Sequence, residues 1–332
     1  MTDLDATQLL RLREGVYAGD LAIAAIVDLD LFTKLGERRL TVRQIAGELG
    51  LAERPTTVMC DLLESLGLLE RDGDGFASAE LARACLVDGT PRDLRAYFAS
   101  LRERPAVREL VGVLRSGEPA AWASADAGED WAERLDDPAF AEQITAAMDA
   151  RGRVLGPELA RALGGLGARS VLDVAGGSGI YGCALLDADP ALRVTVLERA
   201  PVDRVARALL ARRGYDRVDV VTGDMFEALP AGHDLHLYAH VLHDWDVPAI
   251  ERLMRASFAA LAPGGWVIDY DAHLEDGGDP AVAAYSVLLM HSTEGRCYST
   301  AHMGALMRAA GFADVEVRST RGDRSAIIAR RP

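Results

Sequence analysis

The groups best suited to chemistry fall at the ends of short apolar runs. His243 follows Asp234–Val241 and precedes Asp244 and Trp245. An imidazole titrates near neutral pH, so it can take up or hold a proton under physiological conditions. Upstream, Gly176, Gly177 and Gly179 crowd the turn after Val171–Val174, a run whose only charge is Asp173. Glycines there let the chain turn sharply and let a ligand approach the backbone. The next run, Arg193–Leu197, ends in Glu198, placed about twenty residues on, where a carboxylate accepts from ribose hydroxyls. A third, Val218–Val221, leads into Gly223–Asp224–Met225–Phe226. That stretch offers a carboxylate and a soft apolar surface to an amino-purine ring.

These groups need a scaffold that brings strand ends together. The runs are short and apolar throughout, as buried strands of a parallel sheet are, and Ile180–Leu186 reads as a helix after the glycines. Open α/β sheets bind ligands beyond the carboxyl ends of their strands, which is where His243 falls. The G-G-x-G spacing lacks the last glycine of the dinucleotide fingerprint. No Lys-Ser/Thr follows, so a triphosphate-cradling loop is not supported. Gly264–Gly265 marks a turn into a fifth strand, Trp266–Tyr270.

The amino-terminal third reads differently. Apolar residues recur at helical spacing from Thr7 to Leu35, and Thr41 is placed to cap a helix bearing Ile45, Ala46 and Leu49. A second helix, Pro55–Leu66, precedes a hairpin around Asp72–Gly75. This is a winged-helix pattern, and a DNA-binding regulator is one reading of it. The second helix, however, sets Asp61 and Glu64 against Arg54, where a phosphate-facing surface should be basic. The chain of 332 residues carries a net charge of −15, which argues against nucleic acid and anionic membranes as partners. At 49% hydrophobic content it can fill two cores. No basic leader or spanning segment is evident, and the four cysteines lack C-x-x-C spacing, as expected of thiols in a cytoplasmic protein. The weight of Ala, Arg, Gly and Asp points to a GC-rich bacterial genome.

In this order, the Gly turn, acidic strand end, Gly-Asp-Met and the His240–Asp246 segment HVLHDWD resemble S-adenosylmethionine-dependent small-molecule O-methyltransferases of the caffeate and acetylserotonin type. The resemblance spans nearly the whole chain. It implies an α/β fold: a Rossmann-like class I methyltransferase core over residues 166–332, with a helical winged-helix dimerisation domain over 1–100 and a helical substrate lid over 101–165. It assigns S-adenosylmethionine to Asp173, Gly176, Gly177, Gly179, Glu198, Asp224, Met225 and Phe226. His243 becomes the general base that deprotonates a phenol, with Asp271 orienting it. Phe98, Trp122, Phe140, Met148, Asp244 and Trp245 are the candidates for lining the acceptor pocket. Arg102, Arg151 and Arg153 are candidates for an acidic group on the acceptor.

One departure from the family points elsewhere. After Met290 the chain reads His291-Ser292-Thr293-Glu294-Gly295-Arg296, where the usual relatives continue with apolar residues and a G-[RK]-E-R-T loop. His243 and His291 facing one another would suit a first-row metal. This is similar to the non-haem-iron branch that methylates the β-carbon of 2-oxo acids such as phenylpyruvate. The expectation is therefore metal-assisted C-methylation in bacterial secondary metabolism, with His243 and His291 holding iron. The alternative is O-methylation of a phenolic or hydroxylated natural product with His243 as general base, and a homodimer is expected in either case.

Overall fold

The computed structural model describes residues 5–120 and 134–332. Its contacts divide the chain into two compact units. The helical unit comprises Arg11–Gly128 and Leu274–Cys297, and the sheet unit comprises Met1–Leu10, Glu129–His273 and Tyr298–Pro332. These limits differ from the boundaries expected at residues 100 and 165. The Pro138–Ala162 helix belongs with the sheet, and the Pro280–Ser292 helix belongs with the helical unit.

In the helical unit, strands β1 (Leu40–Thr41), β2 (Leu69–Asp72) and β3 (Gly75–Ser78) form a small sheet in the order β1-β3-β2. Thr41 caps the Val42–Leu49 helix through a capping box: its hydroxyl accepts the Gln44 amide, and the Gln44 side chain accepts the Thr41 amide. The following helix, Glu53–Ser65, has no basic face to offer DNA. Asp61 and Glu64 both bind Arg71, at 2.6 and 2.9 Å. The Arg54 guanidinium donates to the carbonyls of Gly117, Met290, Thr293 and Gly295. Every residue from Val282 to Ser292 is buried, so the Pro280–Ser292 helix is a core helix with no solvent face.

The sheet unit holds seven strands, β4 (Ser170–Val174), β5 (Arg193–Glu198), β6 (Val218–Thr222), β7 (Leu235–Ala239), β8 (Trp266–Asp271), β9 (Ala313–Thr320) and β10 (Arg324–Arg330). Their order is β6-β5-β4-β7-β8-β10-β9. The first five are parallel, and β10 lies antiparallel between β8 and β9. Alternate residues serve opposite faces. Val171, Val194 and Leu237 join one core, whereas Leu172, Leu197 and Tyr238 join the other. Helix Pro138–Ala162 lies close on helix Ile180–Ala188, because at Gly152 any Cβ would come within 2.1 Å of Ile180. The chain reverses its direction of sheet growth at β4, so the carboxyl ends of β4 and β7 flank the switch point where open sheets bind ligands. Among the described residues no helix is long and apolar enough to cross a membrane.

Candidate active site

Five strand ends converge on one edge of the large sheet, and each carries a residue singled out above. β4 runs into Gly176–Gly179, β5 ends at Glu198, and β6 leads to Asp224. β7 leads to His243, and β8 ends at Asp271.

At the glycine turn, Asp173 is fully buried and accepts the Gly182 amide at 3.2 Å through Oδ2. Burial pushes its pKa up to about 7. Gly176 lies so close over this carboxylate that a Cβ would sit 2.6 Å from its carbon, so the turn admits no side chain there. Asp173 therefore ties turn to helix, and its Oδ1 is buried without a hydrogen-bond partner. Glu198, 8% exposed, accepts the Gly177 amide at 2.9 Å and the Arg199 amide at 2.8 Å. Burial raises its pKa, with those two amides working against the shift. Asp224 is exposed and accepts the Phe226 amide at 2.8 Å. Phe226 meets Trp245 edge-on at 4.7 Å between ring centroids. A cradle bare of side chains, an orphaned buried oxygen, a carboxylate at the second strand end and a half-buried Met225–Phe226 surface suit an adenosyl cofactor.

The His243 turn is built by the motif around it. His240 takes a left-handed conformation (φ +57°) at the end of β7, Leu242–Asp244 form a single 3-10 turn, and Asp246 caps the Val247–Ala260 helix by accepting the Ala249 amide at 2.9 Å. The Tyr298 hydroxyl donates to the Trp245 carbonyl at 2.7 Å. His243 Nδ1 donates to Asp271 Oδ1 at 2.6 Å, and its Nε2 lies 3.5 Å from Asp244 Oδ1. Burial alone would lower the pKa of this imidazole, but Asp271 and Asp244 outweigh it and the net shift is upward. Asp271 is pressed upward by burial too, yet His243 and His240 hold it well below the usual carboxylate range. It is thus the ionised partner, which fixes the proton of His243 on Nδ1 and makes Nε2 the basic nitrogen.

The family model for the O-methyltransferase domain matches residues 108–313. The chain belongs to that family. Mitomycin biosynthesis 6-O-methyltransferase of Streptomyces lavendulae is 31% identical over 88% of this chain and 84% of its own. Tetracenomycin polyketide synthesis 8-O-methyltransferase of Streptomyces glaucescens is 30% identical over 98% and 96%. Among solved structures, an O-methyltransferase family 2 protein of Planctomyces limnophilus in complex with apigenin superposes with a TM-score of 0.87 at 28% identity, covering 99% of this chain and 97% of that one. The protein is thus an S-adenosylmethionine-dependent methyltransferase with a Rossmann-like core.

Within this methyltransferase, the expected iron pair does not fit. His291 belongs to the helical unit, and both its ring nitrogens are engaged there: Nε2 with Glu109 at 2.9 Å and Nδ1 with Ser292 at 3.1 Å. Tyr17 stacks on its face at 4.0 Å. With both ring nitrogens already engaged, neither is left to bind a metal. The nitrogen and oxygen atoms of His240, His243 and Asp271 do lie within 4.8 Å of one another. However, the short His243–Asp271 contact is a hydrogen bond, and the positive charge of Arg151 beside both histidines opposes any added cation.

Of the pocket candidates, Asp244 and Trp245 adjoin His243, and Met148 is half-buried on the Pro138–Ala162 helix. Phe140 is buried on that same helix under Arg134. Phe98 lies in the helical unit against Tyr97. Trp122 falls outside the described residues. Arg153 pairs with Asp149 at 3.1 Å, and Arg102 donates to the Val27 carbonyl at 2.6 Å. Sequence reading missed three residues around the base: His240, whose Nδ1 lies 3.4 Å from Asp271, and the buried pair Asp269–His273. The available signal was the two-residue spacing of Asp269, Asp271 and His273, which puts all three on one side of an extended strand.

Proposed function

We propose that this methyltransferase transfers the methyl group of S-adenosylmethionine to a hydroxyl of an aromatic natural product, with His243 as general base and without a metal. The observation that carries the reading is the buried His243–Asp271 hydrogen bond at the ligand-binding edge of the sheet. The cofactor supplies an electrophilic methyl group on a sulfonium, and Glu198, Asp224, Met225 and the Gly176–Gly179 turn would hold it. His243 takes the acceptor's hydroxyl proton at Nε2, which leaves the oxygen as the nucleophile. Asp271 holds the ring and its tautomer, and stabilises the imidazolium formed. Such a base contributes roughly a hundred- to ten-thousandfold in rate. A phenol suits this arrangement, because its proton is acidic enough for an imidazole to take. The relatives named for mitomycin and tetracenomycin, and the neighbour holding apigenin, support a polycyclic hydroxylated acceptor.

The reading extends to a homodimer that uses the amino-terminal helix. On the Thr7–Glu14 helix Leu9 and Leu12 stand 69% and 75% exposed, apolar surface that a second copy would cover. Calorimetric titration with S-adenosylhomocysteine, followed by a product assay on hydroxylated polycyclic aromatics, tests the proposal. Binding together with an O-methyl ether is the expected result. Absence of binding, or a methyl found only on carbon, would refute it.

A further inference from the structure

Beside the base, the sheet unit holds a small, half-open cavity lined by His243, Asp269, Asp271, His273, Tyr298 and Met303, among others, with room for roughly one water molecule. Asp269 and Asp271 point the same way from β8 and are 1% and 3% exposed. Asp271 Oδ1 is fully used, accepting from His243 Nδ1 at 2.6 Å and from the Ala272 amide at 2.7 Å. Its other oxygen, Oδ2, is buried with no hydrogen-bond partner, and so is Asp269 Oδ1. The remaining Asp269 oxygen lies 3.2 Å from His273 Nε2, and His273 Nδ1 lies 2.7 Å from the Ser325 hydroxyl on β10. Ser325 is the register partner of Asp271, so the sheet itself aligns the two groups. Two orphaned acceptors beside a cavity of this size are what a single water, with two donors, would satisfy.

We propose that one resident water bridges Asp271 Oδ2 and Asp269 Oδ1, so that Asp269, His273 and Ser325 act as positioning residues for His243. The proposal rests on the reading of His243 as the base. Held from both oxygens, Asp271 cannot rotate its carboxylate away from the imidazole. The two acids also differ in kind, since burial raises the pKa of Asp269 whereas the histidines lower that of Asp271. A water fits better than a cation because Arg151 already places positive charge beside His243 and His240. His243 is faced by Asp244 on its own turn, by Asp269 and Asp271 from β8, by His240 at the end of β7 and by Arg151 from the Pro138–Ala162 helix.

A crystal structure of the native protein fine enough to place ordered water gives the direct test. A peak at hydrogen-bond distance from both oxygens is expected. An empty cavity, or a peak with the short contacts of a bound cation, overturns the proposal. Kinetics supply the second arm. Asp269→Asn keeps an acceptor for the water and should keep kcat within about twofold, whereas Asp269→Leu dries the cavity and should lower kcat about tenfold at unchanged KM. Native kcat in Asp269→Leu overturns the proposal. If Asp269→Leu fails to fold, the occupancy of the native cavity decides. That occupancy is independent of the acceptor, so the inference can fail while the methyltransferase reading stands.

Discussion

His243 and His291 are both buried, and each lies within hydrogen-bond distance of a carboxylate, yet they are built for different ends. Asp271 is itself buried and sits at the end of a sheet strand, so its charge acts on His243 through protein alone and raises the imidazole pKa. The Glu109 side chain is 42% exposed, while Tyr17 and Ser292 fix the His291 ring in a helical core. The raised pKa of His243 comes from a partner that solvent cannot reach. A histidine with an exposed partner inside a core helix is a packing element that happens to carry nitrogens.

Removing the two histidines in turn separates their roles. His243→Ala should lower kcat about a thousandfold while S-adenosylhomocysteine affinity by calorimetry stays near native. His291→Ala is the counterpart, with a far smaller effect. Between the two comes Asp271→Asn, expected to lower kcat about a hundredfold. The amide also removes the charge that raises the His243 pKa. Because Nε2 must be unprotonated to act, native kcat falls as pH drops through a pKa above the ordinary histidine value. The residual activity of the Asn variant should fall off only at lower pH, as a kcat–pH profile would show. His291→Ala should leave kcat within about threefold yet lower stability by about 1–3 kcal/mol in denaturant titration, through the buried polar partner it strands. The smallest effect belongs to the cap of the turn: Asp246→Ala should cost about 1 kcal/mol of stability in the same measurement.

The sheet edge was legible because each chemical residue there closes its own apolar run. A parallel strand delivers the residues at its carboxyl end to the same edge whatever its neighbours do, so Glu198 and His243 could be placed from local pattern, whereas Asp271 followed from the family resemblance. Thr41 was legible for a similar reason, since a capping box is written within four residues. His291 was not, because its role depends on Tyr17 and Glu109, which are distant in sequence and belong to other helices. His240 and Asp269 were overlooked because a histidine in an apolar strand and an aspartate in its neighbour resemble ordinary core polar residues until the register brings them beside Asp271. Helices Pro138–Ala162 and Pro280–Ser292 pack with partners that their sequence neighbours do not share, which local pattern does not reveal.

The central claim is that the base works alone, without a metal, on a hydroxyl. Its most direct test is methyl transfer from S-adenosylmethionine to a hydroxylated polycyclic aromatic by chelator-treated enzyme, with the product's methyl located by NMR. An undiminished rate and a methyl group on oxygen are expected. Activity that disappears with the chelator, returns with ferrous iron and leaves the methyl on carbon would contradict it.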